Sequence, residues 1–255
     1  NKKIIDCSPR WGRYSGLSLL FDNPGRSLTL DGPLRRLDTS RDAAFYQAVD
    51  DTVTAEGLRE IEGLCLLPYA SLHVTALDGI HVGNVAELSP ALQPEARRYL
   101  DRLPQRRPQE AGATSAPRPP AFVTHLQSSV LTERPWPLAF RADRLVIWGA
   151  SVLALRLRPA PGTEAAYQQF TRAREALRQS YAKRFGVAAR TPYEPHVTLG
   201  YFAHPRAAEH AQKQWAGPLD SASQTLREKT AEAARLRFSR VGLYGFTDMA
   251  TFYRF

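Results

Sequence analysis

One short phrase is written twice in this chain, and it constrains the fold more than any other feature. PYASLHVTAL, residues 68–77, and PYEPHVTLG, residues 192–200, share Pro-Tyr and then His-Val-Thr, offset by one residue. Each copy is an apolar run that follows a proline bend, the composition of a strand leaving a turn. Side chains alternate along a strand, so His73 and Thr75 share one face and Val74 takes the other. His196, Thr198 and Val197 repeat that arrangement. A doubled unit of this kind predicts two pseudo-symmetric halves around a shared site.

The flanking segments support the doubling. GLSLLFD, 16–22, reads as a buried strand, and NPGRS and DGP after it are turn signals. RDAAFYQAVDDTVTAEGL, 41–58, reads as a helix that Thr39 or Ser40 could cap. LCLLPYASLHVTALDGI, 64–80, is a strand region broken by a proline bend. The first half therefore reads strand, helix, strand with HVT. LSPALQPEARRYLDRL, 88–103, is a further helix. PQRRPQEAGATSAPRPP, 104–120, cannot build a packed core and reads as a flexible linker or surface insertion. LAFRADRLVIWG and SVLALRLRP, 138–149 and 151–159, form a hairpin whose second strand has an apolar and a basic face. TEAAYQQFTRAREALRQSYAKRFG, 163–186, is the clearest helix, with Thr163 at its N-cap and Gly186 at its C-terminal end. The second HVT strand follows. Two polar helices, around 206–215 and 220–234, and a closing pair of strands, RFSRVGLYGF and ATFYRF, complete the chain.

If the halves pack side by side, His73, Thr75, His196 and Thr198 converge in one cleft. In-line displacement at phosphorus needs a base on one side and an acid on the other. Histidine suits both roles because it titrates near neutrality. The threonine hydroxyls can donate to non-bridging phosphate oxygens as charge builds there. No metal or other cofactor is needed, and no carboxylate follows either motif at ligand spacing. A single H-x-T in a chain with six histidines carries little information. Two copies in matching places carry much more. Tyr69 and Tyr193 precede the motifs in equivalent places and could stack on a base or pack as bend residues. Arg156 and Arg158 share a strand face and could hold phosphates or remain solvated. His81, His125, His204 and His210 have no partner pattern and read as surface or turn residues. Trp136 and Trp148 read as packing residues.

A formal charge of +9 favours polyanionic partners such as nucleic acid or nucleotides, although the arginines are spread along the chain. Cys7 and Cys65 make neither a disulfide framework nor a metal spacing, so reduced thiols in a cytoplasmic protein are expected. No apolar run reaches the ~18 residues of a membrane span, and no membrane partner is expected. NKKIIDCSPRW, at the start, has no signal-peptide apolar core. The chain starts without Met, which leaves a removed upstream segment open.

HVTAL and HVTLG resemble the two H-x-[T/S]-x-hydrophobic motifs of the 2H phosphoesterase superfamily; Gly200 departs from the second at its last position. LLPYASLHVTALDGI and the closing FTDMATFYRF are similar to a poorly characterised branch of it. The resemblance implies a two-lobed α+β fold with pseudo-two-fold symmetry, antiparallel sheets flanking a cleft and helices outside. It implies a single catalytic domain over 1–255, with lobe one at about 1–103, the insert at about 104–120 and lobe two at about 121–255. His73, Thr75, His196 and Thr198 would be catalytic, without a metal, in a monomer. The expected substrates are RNA or nucleotides carrying a 2′,3′-cyclic phosphate or a related 2′-5′ or 3′-5′ phosphodiester. The alternative is a nucleotide- or RNA-binding module of the same fold without turnover. The near-symmetry of the motifs does not tell base from acid.

Overall fold

The computed structural model describes residues 3–6, 10–22, 28–29, 43–103, 119–187, 192–232 and 234–255. Cys7, the turn signals at 23–27 and 31–33, the capping pair Thr39 and Ser40, and most of the Pro-rich stretch lie outside them. The strands are β1 (Ile4–Asp6), β2 (Arg10–Trp11), β3 (Gly16–Phe21), β4 (Leu28–Thr29), β5 (Leu64–Leu66), β6 (Thr75–His81), β7 (Leu138–Trp148), β8 (Val152–Pro159), β9 (His196–Phe202), β10 (Leu236–Phe238), β11 (Val241–Phe246) and β12 (Phe252–Arg254). The helices are α1 (Ala43–Ala55), α2 (Gln93–Asp101), α3 (Ala121–Gln127), α4 (Val130–Glu133), α5 (Glu164–Phe185), α6 (Pro205–Gln214) and α7 (Ala216–Lys229). Among the described residues, no helix is long and apolar enough to cross a membrane.

The strands form two five-stranded sheets and a small ribbon of β1 and β2. Sheet I runs β4-β12-β11-β3-β6, and sheet II runs β10-β7-β8-β9-β5. All pairings are antiparallel except β4 with β12. The strand–helix–strand repeat is present as β3–α1–β6 and β8–α5–β9. This is the α+β, two-lobed arrangement expected above. The sheets, however, do not follow the two halves of the sequence. The Pro68 bend sends β5 into sheet II and β6 into sheet I, although they belong to one apolar run. The closing segment divides likewise, with β10 in sheet II and β11 and β12 in sheet I. Each sheet thus draws strands from both sides of the boundary expected near residues 104–120.

The helices are exchanged in the same way. Val49 and Val53 of α1 line an apolar crevice with Leu66, Leu72 and Leu199, so α1 backs sheet II. From the other half, α5 reaches sheet I, where the Arg174 Nε donates to the Ala76 carbonyl at 2.7 Å. Phe21 of β3 ties the layers into one core, with ring centroids 4.7 Å from Phe238, 5.0 Å from Phe170 and 5.9 Å from Phe140. Beyond the short β10, the outer edge of β7 is satisfied by buried hydroxyls of α7 and its C-terminal end. Thr230 accepts from the Ala142 N–H at 3.0 Å and Ser223 from the Leu145 N–H at 2.9 Å. At the start of α5, Thr163 occupies the N-cap position without capping. Its hydroxyl donates to the Ala160 and Ala139 carbonyls instead, at 2.9 and 3.2 Å. Gly186 ends the same helix at φ +90°, as its sequence position suggested. The short α3 and α4 have no counterpart in the sequence reading.

Candidate active site

The two motifs meet at an antiparallel bridge between Val74 and Val197. That register sets His73 across from Thr198 and Thr75 across from His196. Opposed residues of an antiparallel pair project to the same face, so all four polar side chains share one side of the junction. Val74 and Val197 take the other side and are fully buried. The four polar residues are half-buried, as a cleft floor requires.

Each imidazole is fixed in the same way. His73 Nδ1 lies 2.7 Å from the Ser71 carbonyl oxygen, and His196 Nδ1 lies 2.8 Å from that of Glu194. A carbonyl only accepts, so both Nδ1 atoms carry the proton and each neutral ring presents an unprotonated Nε2. Among the described residues neither Nε2 has a hydrogen-bond partner. An aromatic ring steadies each imidazole, Phe252 at 4.4 Å from His73 and Trp148 edge-on at 4.7 Å from His196.

The surroundings differ in charge. Burial pushes His73 down to about 4; the Ser71 carbonyl and Asp78 oppose this, and His196 and Lys3 add to it. Burial also lowers His196, against the Glu194 carbonyl and the carboxylates of Asp78 and Glu194.

A matched irregularity follows each threonine. Ala76 is unpaired between Thr75 and Leu77 on β6, and Leu199 is unpaired between Thr198 and Gly200 on β9. Such a bulge reverses the alternation beyond it. It turns the residue three past each threonine toward the cleft, Asp78 on one strand and Tyr201 on the other. Asp78 accepts from the Ser18 hydroxyl at 3.5 Å and acts electrostatically on both histidines. The Tyr201 hydroxyl lies within hydrogen-bonding reach of Thr198 and accepts from the Lys3 ammonium at 3.2 Å. Burial raises Tyr201, so it stays protonated as a donor. The carbonyls of both bulged residues are taken from outside their strands. Arg174 holds Ala76 at 2.7 Å and the Leu67 N–H holds Leu199 at 2.8 Å.

The remaining sequence candidates divide. Arg156 pairs with His196 across β8 and β9 and sits 3.5 Å from Glu194. Arg158 lies two residues along the same face, 3.9 Å from Asp143. Tyr193 lies beneath the motifs. Its hydroxyl donates to the Thr75 carbonyl at 3.0 Å and its ring receives the Arg174 guanidinium at 4.4 Å. Tyr69 packs edge-on against Tyr46 of α1, 6.3 Å away, and lines the crevice between α1 and sheet II. Trp148, read from sequence as a packing residue, packs at the β7–β8 hairpin edge-on against His196. Asp78, Tyr201, Lys3, Phe252 and Trp148 are the cleft residues that sequence reasoning missed. Asp78 and Tyr201 share an offset from the two threonines, which was the available signal.

Among the described residues, no group of three or more His, Cys, Asp or Glu is placed to hold a metal ion. A surface cavity of about 550 Å³ beside α3, lined by Glu95, Thr124, His125 and Arg184 among others, shares no residue with the histidine cleft.

No family model matches the chain, and no curated protein matches it in sequence. Among solved structures it is similar to ATU0111, a conserved protein of unknown function from Agrobacterium tumefaciens. The TM-score is 0.54 at 18% identity, over 98% of this chain and 88% of that one. Usb1 of Kluyveromyces marxianus aligns more loosely, at TM-score 0.43 and 13% identity over 95% of this chain and 98% of that one. Its structure with uridine monophosphate gives 0.38 and 13%, over 95% and 97%. The likeness to ATU0111 shows a fold shared along almost the whole of this chain.

Proposed function

We propose that this chain is a phosphodiesterase of the 2H phosphoesterase type. It would hydrolyse 2′,3′-cyclic phosphates of RNA ends or nucleotides, or a related 2′-5′ or 3′-5′ phosphodiester, without a metal. Residues 1–255 then act as one two-lobed catalytic domain, a monomer in the cytoplasm. The observation that carries this reading is the matched pair of imidazoles. Both are oriented through Nδ1 and both present Nε2 on the face that carries the two threonines.

The unequal surroundings favour one division of the roles. His73, held neutral by burial with Lys3 nearby, is the base. His196, which burial also lowers but whose charged form the Glu194 carboxylate favours, is the acid when its ring is protonated. Nε2 of His73 takes a proton from water as the water oxygen bonds to phosphorus. The bond from phosphorus to the 2′ or 3′ ribose oxygen breaks, and that oxygen takes the proton from Nε2 of His196. Solvent then returns a proton to His196 and removes one from His73. Thr75 and Thr198 donate to the non-bridging oxygens as their charge rises.

The test is hydrolysis of 2′,3′-cyclic nucleoside monophosphates and of an RNA oligomer ending in a cyclic phosphate, with a chelator present. The double variant His73→Ala/His196→Ala is run alongside. Turnover by the parent alone is expected. Nucleotide binding without turnover would favour a binding module of the same fold.

A further inference from the structure

The cleft face continues past His196 as a ladder of arginines. On β7 and β8, Arg144 pairs with Arg156 and Arg141 with Arg158, directly opposite each other. Arg156 in turn pairs with His196. The intervening residues Ala142, Leu145, Leu155 and Leu157 are buried on the other face. Like charges set opposite each other on neighbouring strands are unfavourable unless an anion joins them. Two carboxylates offset this face only in part, Glu194 at 3.5 Å from Arg156 and Asp143 at 3.9 Å from Arg158. Among the described residues Arg144 is exposed with no ion-pair partner, and the buried Arg141 Nε has no acceptor.

We infer that this ladder is a second phosphate subsite. The substrate would carry, besides the phosphodiester at the histidines, a further phosphate that Arg144 and its neighbours bind. The inference rests on the phosphodiesterase reading and deepens it. Neighbouring strands lie about 4.8 Å apart, so the backbones at Arg156 and Arg144 stand roughly 5 and 10 Å from that of His196. That places the guanidinium groups within reach of a phosphate elsewhere on the same small ligand, or on the next nucleotide of a chain. Arginine suits it because its planar fork binds phosphate through two parallel hydrogen bonds.

Three substrates separate the sources. Uridine 2′,3′-cyclic phosphate has no second phosphate. Its 5′-phosphorylated form adds a terminal one, and the dinucleotide UpU ending in a cyclic phosphate adds a backbone one. In the wild type at least one of the latter two should exceed the first in kcat/KM by about tenfold, the scale of one charge-assisted contact. In Arg144→Ala/Arg158→Ala the ratio should fall toward one. The control Lys183→Ala/Lys213→Ala removes two exposed cations elsewhere and should keep the ratio. Equal kcat/KM for all three substrates, or equal losses in variant and control, would overturn the subsite. If none of the three turns over, the cyclic-phosphate reading fails and calorimetric binding still tests the ladder. Uridine 3′,5′-bisphosphate should bind the wild type about tenfold more tightly than uridine 3′-monophosphate, and the arginine variant should lose that preference. Equal affinities in the wild type would overturn it. Circular dichroism melts confirm that the variants are folded.

Discussion

Replacing His73 with Asn should make the protein less sensitive to acid. The ring stays neutral in the folded protein down to about 4, against an ordinary value of 6.5, chiefly because burial removes water from its charged form. At pH 7.5 it is neutral in both folded and unfolded chains and contributes nothing to pH dependence. At pH 5 the unfolded ring is protonated and the folded ring is not. The unfolded chain then binds more protons, so stability falls as pH falls. With those two values the loss from this one group is at most about 2 kcal/mol between pH 7.5 and pH 5. An asparagine amide can keep the donation to the Ser71 carbonyl while removing the titration. Urea denaturation of both proteins at the two pH values provides the assay. Carboxylates and the other histidines enter both proteins alike and cancel in the difference. The wild type should lose about 2 kcal/mol more than His73→Asn, a midpoint change on the order of 1 M urea. Parallel losses would refute the claim that His73 is buried in its neutral form, and with it the argument for His73 as the base.

The single variants His73→Ala and His196→Ala should each lower turnover by about 10²-fold or more, the scale of lost general acid–base catalysis. Their melting temperatures should stay within a few degrees of the parent, and a variant that unfolds would mark the ring as structural. The pH profile of kcat/KM should rise through about 4 as His73 loses its proton. It should fall again as His196 loses its own, which burial holds below 6.5, so a maximum above neutrality would reverse or reject the assigned roles. Gly200→Ala should destabilise the protein by roughly 2 kcal/mol, because β5 has to part from β9 to admit the side chain. The added Cβ would stand 2.6 Å from the Cys65 carbonyl oxygen, and an unchanged thermal melt would contradict that close approach.

Two levels of the site have different origins. The pairing of His73 with Thr75 and of His196 with Thr198 was legible in the letters, because side-chain alternation along a strand is a local property. The β3–α1–β6 and β8–α5–β9 repeats were legible for the same reason, each being written in the period of its own segment. Gly200, a departure from the motif on the page, proves to be where the β5 backbone presses against β9. The rest depended on pairing between distant segments. Whether Ala76 and Leu199 bulge depends on where β3 and β8 place their partners, and the bulges decide that Asp78 and Tyr201 turn toward the cleft. Phe252 reaches His73 only because β12, from the end of the chain, joins sheet I, and Trp148 reaches His196 across the β7-β8-β9 order of sheet II. The sequence by itself determined two like-built strands with matching polar faces. Only the closure of two sheets on the Val74–Val197 bridge decided that those faces are one site, with unequal charge around its two imidazoles.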